Sequence, residues 1–153
     1  MTDNISLYAL GIGLVGLVAV FITFGGMKRQ SAGNDLMRGL AEQIHLGAMA
    51  FLKREYMVLI PFLLIVAGLL GVAIDVKTAI AYIFGGVCSL GSGWIGMQGA
   101  TAANVRTAEA ARASGQALAL RTAFSGGAVM GLAVASLGLL GVAIVFHFLG
   151  HEE

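Results

Sequence analysis

Tyr56-Met-Val-Leu-Ile-Pro-Phe-Leu-Leu-Ile-Val-Ala-Gly-Leu-Leu-Gly-Val-Ala-Ile74 contains no Asp, Glu, Lys or Arg. A helix needs about 20 mostly apolar residues to cross the hydrocarbon core of a bilayer. Lipid offers no water to satisfy a peptide group, so such a run must close its hydrogen bonds internally, as a helix does. Three more charge-free runs flank this one: Asn4 to Met27, Thr78 to Val105, and Thr122 to Gly150. Each is long enough for one crossing and none comfortably fits two. The expected spans are about 6–26, 56–74, 79–99 and 124–148. The reading is an all-α, polytopic membrane protein, with residues 1–153 forming one membrane domain of four transmembrane helices.

Composition agrees with this reading. Of the residues, 58% are hydrophobic and 11% are charged, against about 25% charged in a soluble domain. So few charges cannot cover a water-facing surface. No cluster of bases interleaved with aromatics exists, so nucleic acid is not an expected partner. The single cysteine, Cys88, rules out an intrachain disulfide. Met-Thr-Asp-Asn supplies no basic region before the first apolar run, unlike a cleaved signal peptide.

Orientation follows from the bases. Lys28, Arg29, Arg38, Lys53 and Arg54 lie between the first two runs, and Arg106, Arg112 and Arg121 between the last two. Only Lys77 falls on the other side. The positive-inside rule puts the basic side in the cytoplasm and both termini, with Asp3, Glu152 and Glu153, on the outer face.

The basic segments carry helical signals of their own. Leu36, Leu40, Ile44, Ala48 and Phe51 recur on one helical face, and Asn34 or Asp35 suits an N-cap. Helix 2 is therefore expected to begin near residue 35 in the cytoplasm and run on to Ile74, with Pro61 placed to kink it. The alanine-rich stretch after Met97 extends helix 3 in the same way. Glu109 lies three residues from both Arg106 and Arg112, a spacing for ion pairing. Ser114-Gly115 is the expected break, followed by an amphipathic turn through Arg121 into helix 4.

Two G-x-G-x-x-G patterns occur, at Gly11, Gly13, Gly16 and at Gly91, Gly93, Gly96. A dinucleotide site requires a preceding strand and a helix start at the phosphate, and both patterns lie inside apolar runs. Small-residue stripes account for the glycines better. They are Gly85, Ser89 and Gly93; Ser92, Gly96 and Ala100; and, on helix 4, Ala123, Gly127, Gly131 and Ala135. Such faces let helices approach closely in lipid.

The chemistry of an ion pump is not visible in these residues. A proton or sodium carrier rests on an ionisable group within the membrane. His147 falls near the outer end, His45 reads as a surface residue of the helix 2 extension, and Cys88 and Tyr82 titrate too high. The acids on the basic side, Asp35, Glu42, Glu55 and Glu109, are scattered, each with a base within four residues. A magnesium-phosphate site needs several carboxylates converging on one point. No catalytic, cofactor-binding or metal-binding residue is assigned, and the chain alone is expected to be inactive.

Three segments are nevertheless specific. Gln43-Ile-His-Leu-Gly-Ala-Met-Ala-Phe-Leu-Lys-Arg-Glu-Tyr56 resembles the helix 2 entry of membrane-bound, ion-translocating inorganic pyrophosphatases. Gly96-Met97, then Ala100-Thr101 and Ala103-Asn-Val-Arg-Thr-Ala-Glu-Ala-Ala-Arg112, is similar to the segment linking helices 3 and 4 of that family. Ala123-Phe-Ser-Gly-Gly-Ala-Val-Met-Gly131 resembles its helix 4 entry. Helix 1 carries no matching motif. The resemblance implies a larger, homodimeric helical pump that hydrolyses pyrophosphate in a cytoplasmic funnel and moves protons or sodium outward. It also implies a need for Mg2+, K+ in some subfamilies, and a bacterial inner-membrane location. The family's aspartate-rich motifs are not among these 153 residues. The chain is thus expected to be the N-terminal outer-helix scaffold, cut before the catalytic part and completed by the remaining helices. The alternative is a non-enzymatic four-helix membrane scaffold or oligomerising protein.

Overall fold

The computed structural model describes residues 2–150, with side chains from Ile5 onward. The expected outer-face acids Asp3, Glu152 and Glu153 lie outside the described side chains. Four helices follow in order: α1 (Thr2–Lys28), α2 (Asp35–Ala73), α3 (Val76–Ser114) and α4 (Gln116–Leu149). All four are long and apolar enough to cross a membrane. Among the described residues there is no strand.

The helix ends follow from local chemistry. Asn34 caps α2, its side-chain oxygen accepting from the Met37 N–H at 3.0 Å. Asp75 caps α3 by accepting from the Thr78 N–H at 2.7 Å and the Thr78 hydroxyl at 2.9 Å. The bond from the Thr78 N–H, seconded by the hydroxyl, holds the Asp75 carboxyl below the usual range. A side-chain acceptor here satisfies a backbone N–H that the first turn leaves free. Gly115 separates α3 from α4 with φ 85° and ψ −179°, a region essentially reserved for glycine. The turn is tighter than expected. α4 starts at Gln116, and Arg121 lies on that helix rather than on a separate amphipathic turn.

α2 and α3 are each 39 residues long, about 58 Å at 1.5 Å per residue. The hydrocarbon core is about 30 Å thick, so both extend well past their apolar stretches at the basic end. α2 passes through Pro61 without interruption.

The helices pack as an open row: α1 against α4, α4 against α3, and α3 against α2, with α1 also brushing α3. α2 touches only α3 among the described elements, and two hydrogen-bond contacts to oxygen help tie them, beside a weaker one from the Gln98 amide to the Met49 sulfur at 3.6 Å. The Tyr56 hydroxyl donates to the Leu90 carbonyl, and the His45 Nδ1 lies 3.0 Å from the Thr101 hydroxyl. His45 is thus an interhelical tie and only half exposed, not the surface residue expected. The core lies at the α1–α3–α4 contact, where Val20, Val129 and Ala133 are buried against Phe24, Ile95 and Leu132.

Candidate functional site

The α3–α4 contact is the most extensive among the described helices, and small residues permit it. A Cβ on Gly99 would stand 2.9 Å from Val129 Cγ1 and 3.4 Å from the Gly126 carbonyl oxygen. Without side chains there, the two backbones interlock and bury apolar surface on both. The buried line on α3 is Ser92, Gly96, Gly99 and Ala103. The expected line placed Ala100 in it, but Ala100 is exposed.

The larger difference is on α4. Its buried face is Thr122, Gly126, Val129, Ala133, Ser136, Leu140 and Ala143. The expected stripe of Ala123, Gly127, Gly131 and Ala135 is exposed throughout. It does not hold these four helices together. A Cβ on Gly127 or Gly131 would meet nothing within 4 Å. Gly85 and Ser89 on α3 are likewise exposed.

Of these outward small residues, Gly85, Ser89, Ala100, Ala123 and Gly127 line a groove along one face of the α3–α4 pair. Toward the Asp75 end it opens into a cavity of about 780 Å³, walled by Gly85, Cys88, Ser89 and Ser92 on α3 and by Val134, Gly138 and Gly141 on α4. Toward the basic end it continues as a cavity of about 340 Å³ between Ala100, Ala103 and Thr107 on one side and Ala123, Gly127 and Met130 on the other. The lining positions on each helix advance by three or four residues, so both cavities share one face. The walls are largely apolar, and the small residues Gly85, Ser89, Ala100, Ala123 and Gly127 along them leave room for another helix to approach.

Polar chemistry gathers at the basic end, outside this groove. Arg106 donates to the Ala102 carbonyl at 2.8 Å and to the Lys28 carbonyl at 3.2 Å. The second bond occupies a carbonyl at the C-terminus of α1, where the helix dipole favours a cation. Arg106 therefore caps a helix and does not pair with Glu109, contrary to what its spacing suggested. Glu109 is buried and, among the described residues, is held by Arg112 through contacts of 2.8 and 2.9 Å. The Arg112 hydrogen bonds lower the Glu109 carboxyl pKa, against the opposing cost of desolvation. They raise that of Arg112 in return. The Arg106 Nε is the one buried side-chain nitrogen or oxygen with no protein partner among the described residues.

The other acids on the basic side stand apart. Asp35 is fully exposed and 3.9 Å from Arg38, and Glu42 and Glu55 are exposed on α2. Among the described residues no three of His, Cys, Asp and Glu lie close enough to share a metal ion. Cys88 is a free thiol lining the larger cavity, and His147 lies 3.4 Å from the Ser6 hydroxyl. Gln30 and Thr122, which join the segment after α1 to α4 at 2.7 Å, carry no motif that would have marked them in the sequence.

Four membrane-length helices define an integral membrane protein of the polytopic α-helical class. More narrowly, the chain belongs to the inorganic H+ pyrophosphatase family, whose model matches residues 14–153. The match includes most of α1, where no motif was evident. A Clostridium tetani protein, provisionally named a K(+)-stimulated pyrophosphate-energized sodium pump, is 44% identical over 148 residues, covering 97% of this chain and 22% of its own length. A K(+)-insensitive pyrophosphate-energized proton pump of Moorella thermoacetica is 45% identical over 135 residues, covering 88% of this chain and 20% of its own. A K(+)-stimulated pyrophosphate-energized sodium pump of Thermotoga maritima is 36% identical over 140 residues, covering 91% and 19%. The chain spans about a fifth of the length of these relatives.

Proposed function

We propose that this chain is the N-terminal scaffold of a membrane pump that couples pyrophosphate hydrolysis to outward movement of protons or sodium. Its groove on α3 and α4 seats another helix of that pump. The observation that carries this is the exposure of Ala123, Gly127, Gly131 and Ala135. A small-residue stripe left outside the four-helix packing serves a helix not among the four.

The membrane-crossing parts are about residues 6–26, 56–74, 79–99 and 124–148 of a single domain, 1–153. The basic ends of α2 and α3 project into the cytoplasm, and both termini face outward from a bacterial inner membrane. Eight of the nine Lys and Arg residues lie on that inner side, which supports this orientation. Pyrophosphate, Mg2+ and, in a potassium-stimulated member, K+ are bound by other helices. No catalytic, cofactor or metal residue is assigned to these four. The full pump works as a homodimer.

The test is complementation. This chain is co-expressed with the Moorella thermoacetica relative trimmed of its matching segment, and Mg2+-dependent pyrophosphate hydrolysis is measured in isolated membranes. Activity is expected only when both pieces are present, and Gly127→Leu combined with Ser89→Leu is expected to abolish it by filling the groove. Full activity in the filled variant, or hydrolysis by this chain alone, would overturn the reading.

A further inference from the structure

A second feature lies where α1 ends and the apolar run of α4 begins. The 2.7 Å bond between Gln30 and Thr122 joins residues adjacent to Arg29 and Arg121. Two bases far apart in sequence are thereby brought to one level at the α1–α4 junction. Arg106 reaches the same place through the Lys28 carbonyl. Lys28, Arg29 and Arg121 are exposed. The nearby ion pairs, Arg38 with Asp35 and Arg112 with Glu109, engage none of these cations.

Below the cations, toward the middle of the helices, the surface is apolar. Phe21 and Ile22 on α1 are 69% and 70% exposed, and Phe124 on α4 is 77% exposed. Phe21 and Ile22 lie two turns from Lys28 and Arg29, and Phe124 one turn from Arg121. Exposed cations at the basic end, with exposed apolar side chains one or two turns toward the middle of the same helices, match a ligand with an anionic head and a hydrocarbon tail. A free phosphate would gain nothing from those apolar side chains.

We propose that the α1–α4 junction binds the headgroup of an anionic phospholipid. Arg29 and Arg121 hold the phosphodiester oxygens, and the acyl chains lie along Phe21, Ile22 and Phe124. Basic clusters at helix ends attract anionic headgroups with several-fold gain per cation, and the planar guanidinium suits phosphate oxygens. This inference rests on the membrane-spanning character of α1 and α4 and not on the pyrophosphate reading.

The test is native mass spectrometry of the purified chain, released from detergent in the presence of dioleoyl phosphatidylglycerol or dioleoyl phosphatidylcholine. The unaltered chain is expected to retain phosphatidylglycerol preferentially. Arg29→Gln with Arg121→Gln is expected to cut that preference on the order of tenfold. Lys53→Gln with Arg54→Gln removes the same charge from α2 and is expected to leave it within about twofold, since those bases lie on the far side of α3. Helical circular dichroism checks that both variants fold. Should the first variant unfold, Arg29→Lys with Arg121→Lys keeps the charge and is expected to retain part of the preference. Equal loss in both glutamine variants would show a diffuse charge effect. Displacement of the lipid by equimolar inorganic phosphate or pyrophosphate would assign the site to a soluble anion. Either result, or no lipid preference in the unaltered chain, overturns the proposal.

Discussion

The Thr122 hydroxyl lies 2.7 Å from the Gln30 side-chain oxygen, joining the segment after α1 to the first turns of α4. Thr122 is fully buried, so its hydroxyl must find a partner inside the protein. Its proton has the Gln30 oxygen and the Leu118 carbonyl, at 2.9 Å, within reach. Thr122→Val keeps the shape and removes the hydroxyl. It is expected to destabilise the fold by about 1 kcal/mol, the usual net worth of one hydrogen bond, while Thr122→Ser costs less. Thermal unfolding in detergent, followed by helical circular dichroism, checks the order.

Gly99 and Gly127 make opposite predictions from one chemical change. Gly99→Ala forces a methyl to 2.9 Å from Val129 Cγ1 and is expected to cost about 1–3 kcal/mol, as overpacking does. Gly127→Ala enters open space and is expected to be neutral or to stabilise the isolated chain by up to about 1 kcal/mol through helix propensity. The same thermal measurement separates them. Equal midpoints for the two variants would contradict the close α3–α4 contact.

Gly115 holds the hairpin between α3 and α4 at φ 85°. No crowding prevents a methyl there, so Gly115→Ala isolates backbone strain, expected at about 1–3 kcal/mol. Protease sensitivity at the 114–116 turn is expected to rise along with a lowered unfolding midpoint. A variant as stable and resistant as the parent would argue against this backbone conformation.

Glu109 predicts a pH dependence. Hydrogen bonds from Arg112 hold its carboxyl below the ordinary value, so folding favours the charged form. That contribution is fully present above the pKa of the unfolded carboxyl and is lost as pH falls through the lowered folded value. Unfolding midpoints are therefore expected to drop on acidification below the ordinary carboxylate range. In Glu109→Gln that drop is expected to be shallower, with a lower midpoint at neutral pH. The contrast between the two acid titrations is the readout.

Much of the architecture is legible without coordinates. The charge-free runs demand helices because a buried peptide group in lipid has no other partner. Asn34 caps α2 and Gly115 breaks α3 from α4 where the residue types predict. The family resemblance was carried by residues 43–56, 96–112 and 123–131, inside the 14–153 match. The site was less legible. Arg106, Glu109 and Arg112 allow two ion pairs by spacing, and only their three-dimensional neighbours show Arg106 drawn away to the Lys28 carbonyl.

Alone, the sequence determined that this protein is four membrane-length helices with eight of its nine bases at one end, because hydrocarbon excludes charge and unsatisfied backbone. Only the tertiary structure decided which small residues touch. Helices this rich in glycine and alanine offer several i,i+4 stripes, all equally permissive to a neighbour. Helix direction and rotation chose Gly99 over Ala100 and Gly126 over Gly127. The stripe on α4 that looked made for internal packing was thereby left facing outward, because close contact depends on mutual orientation, which spacing along one chain does not contain.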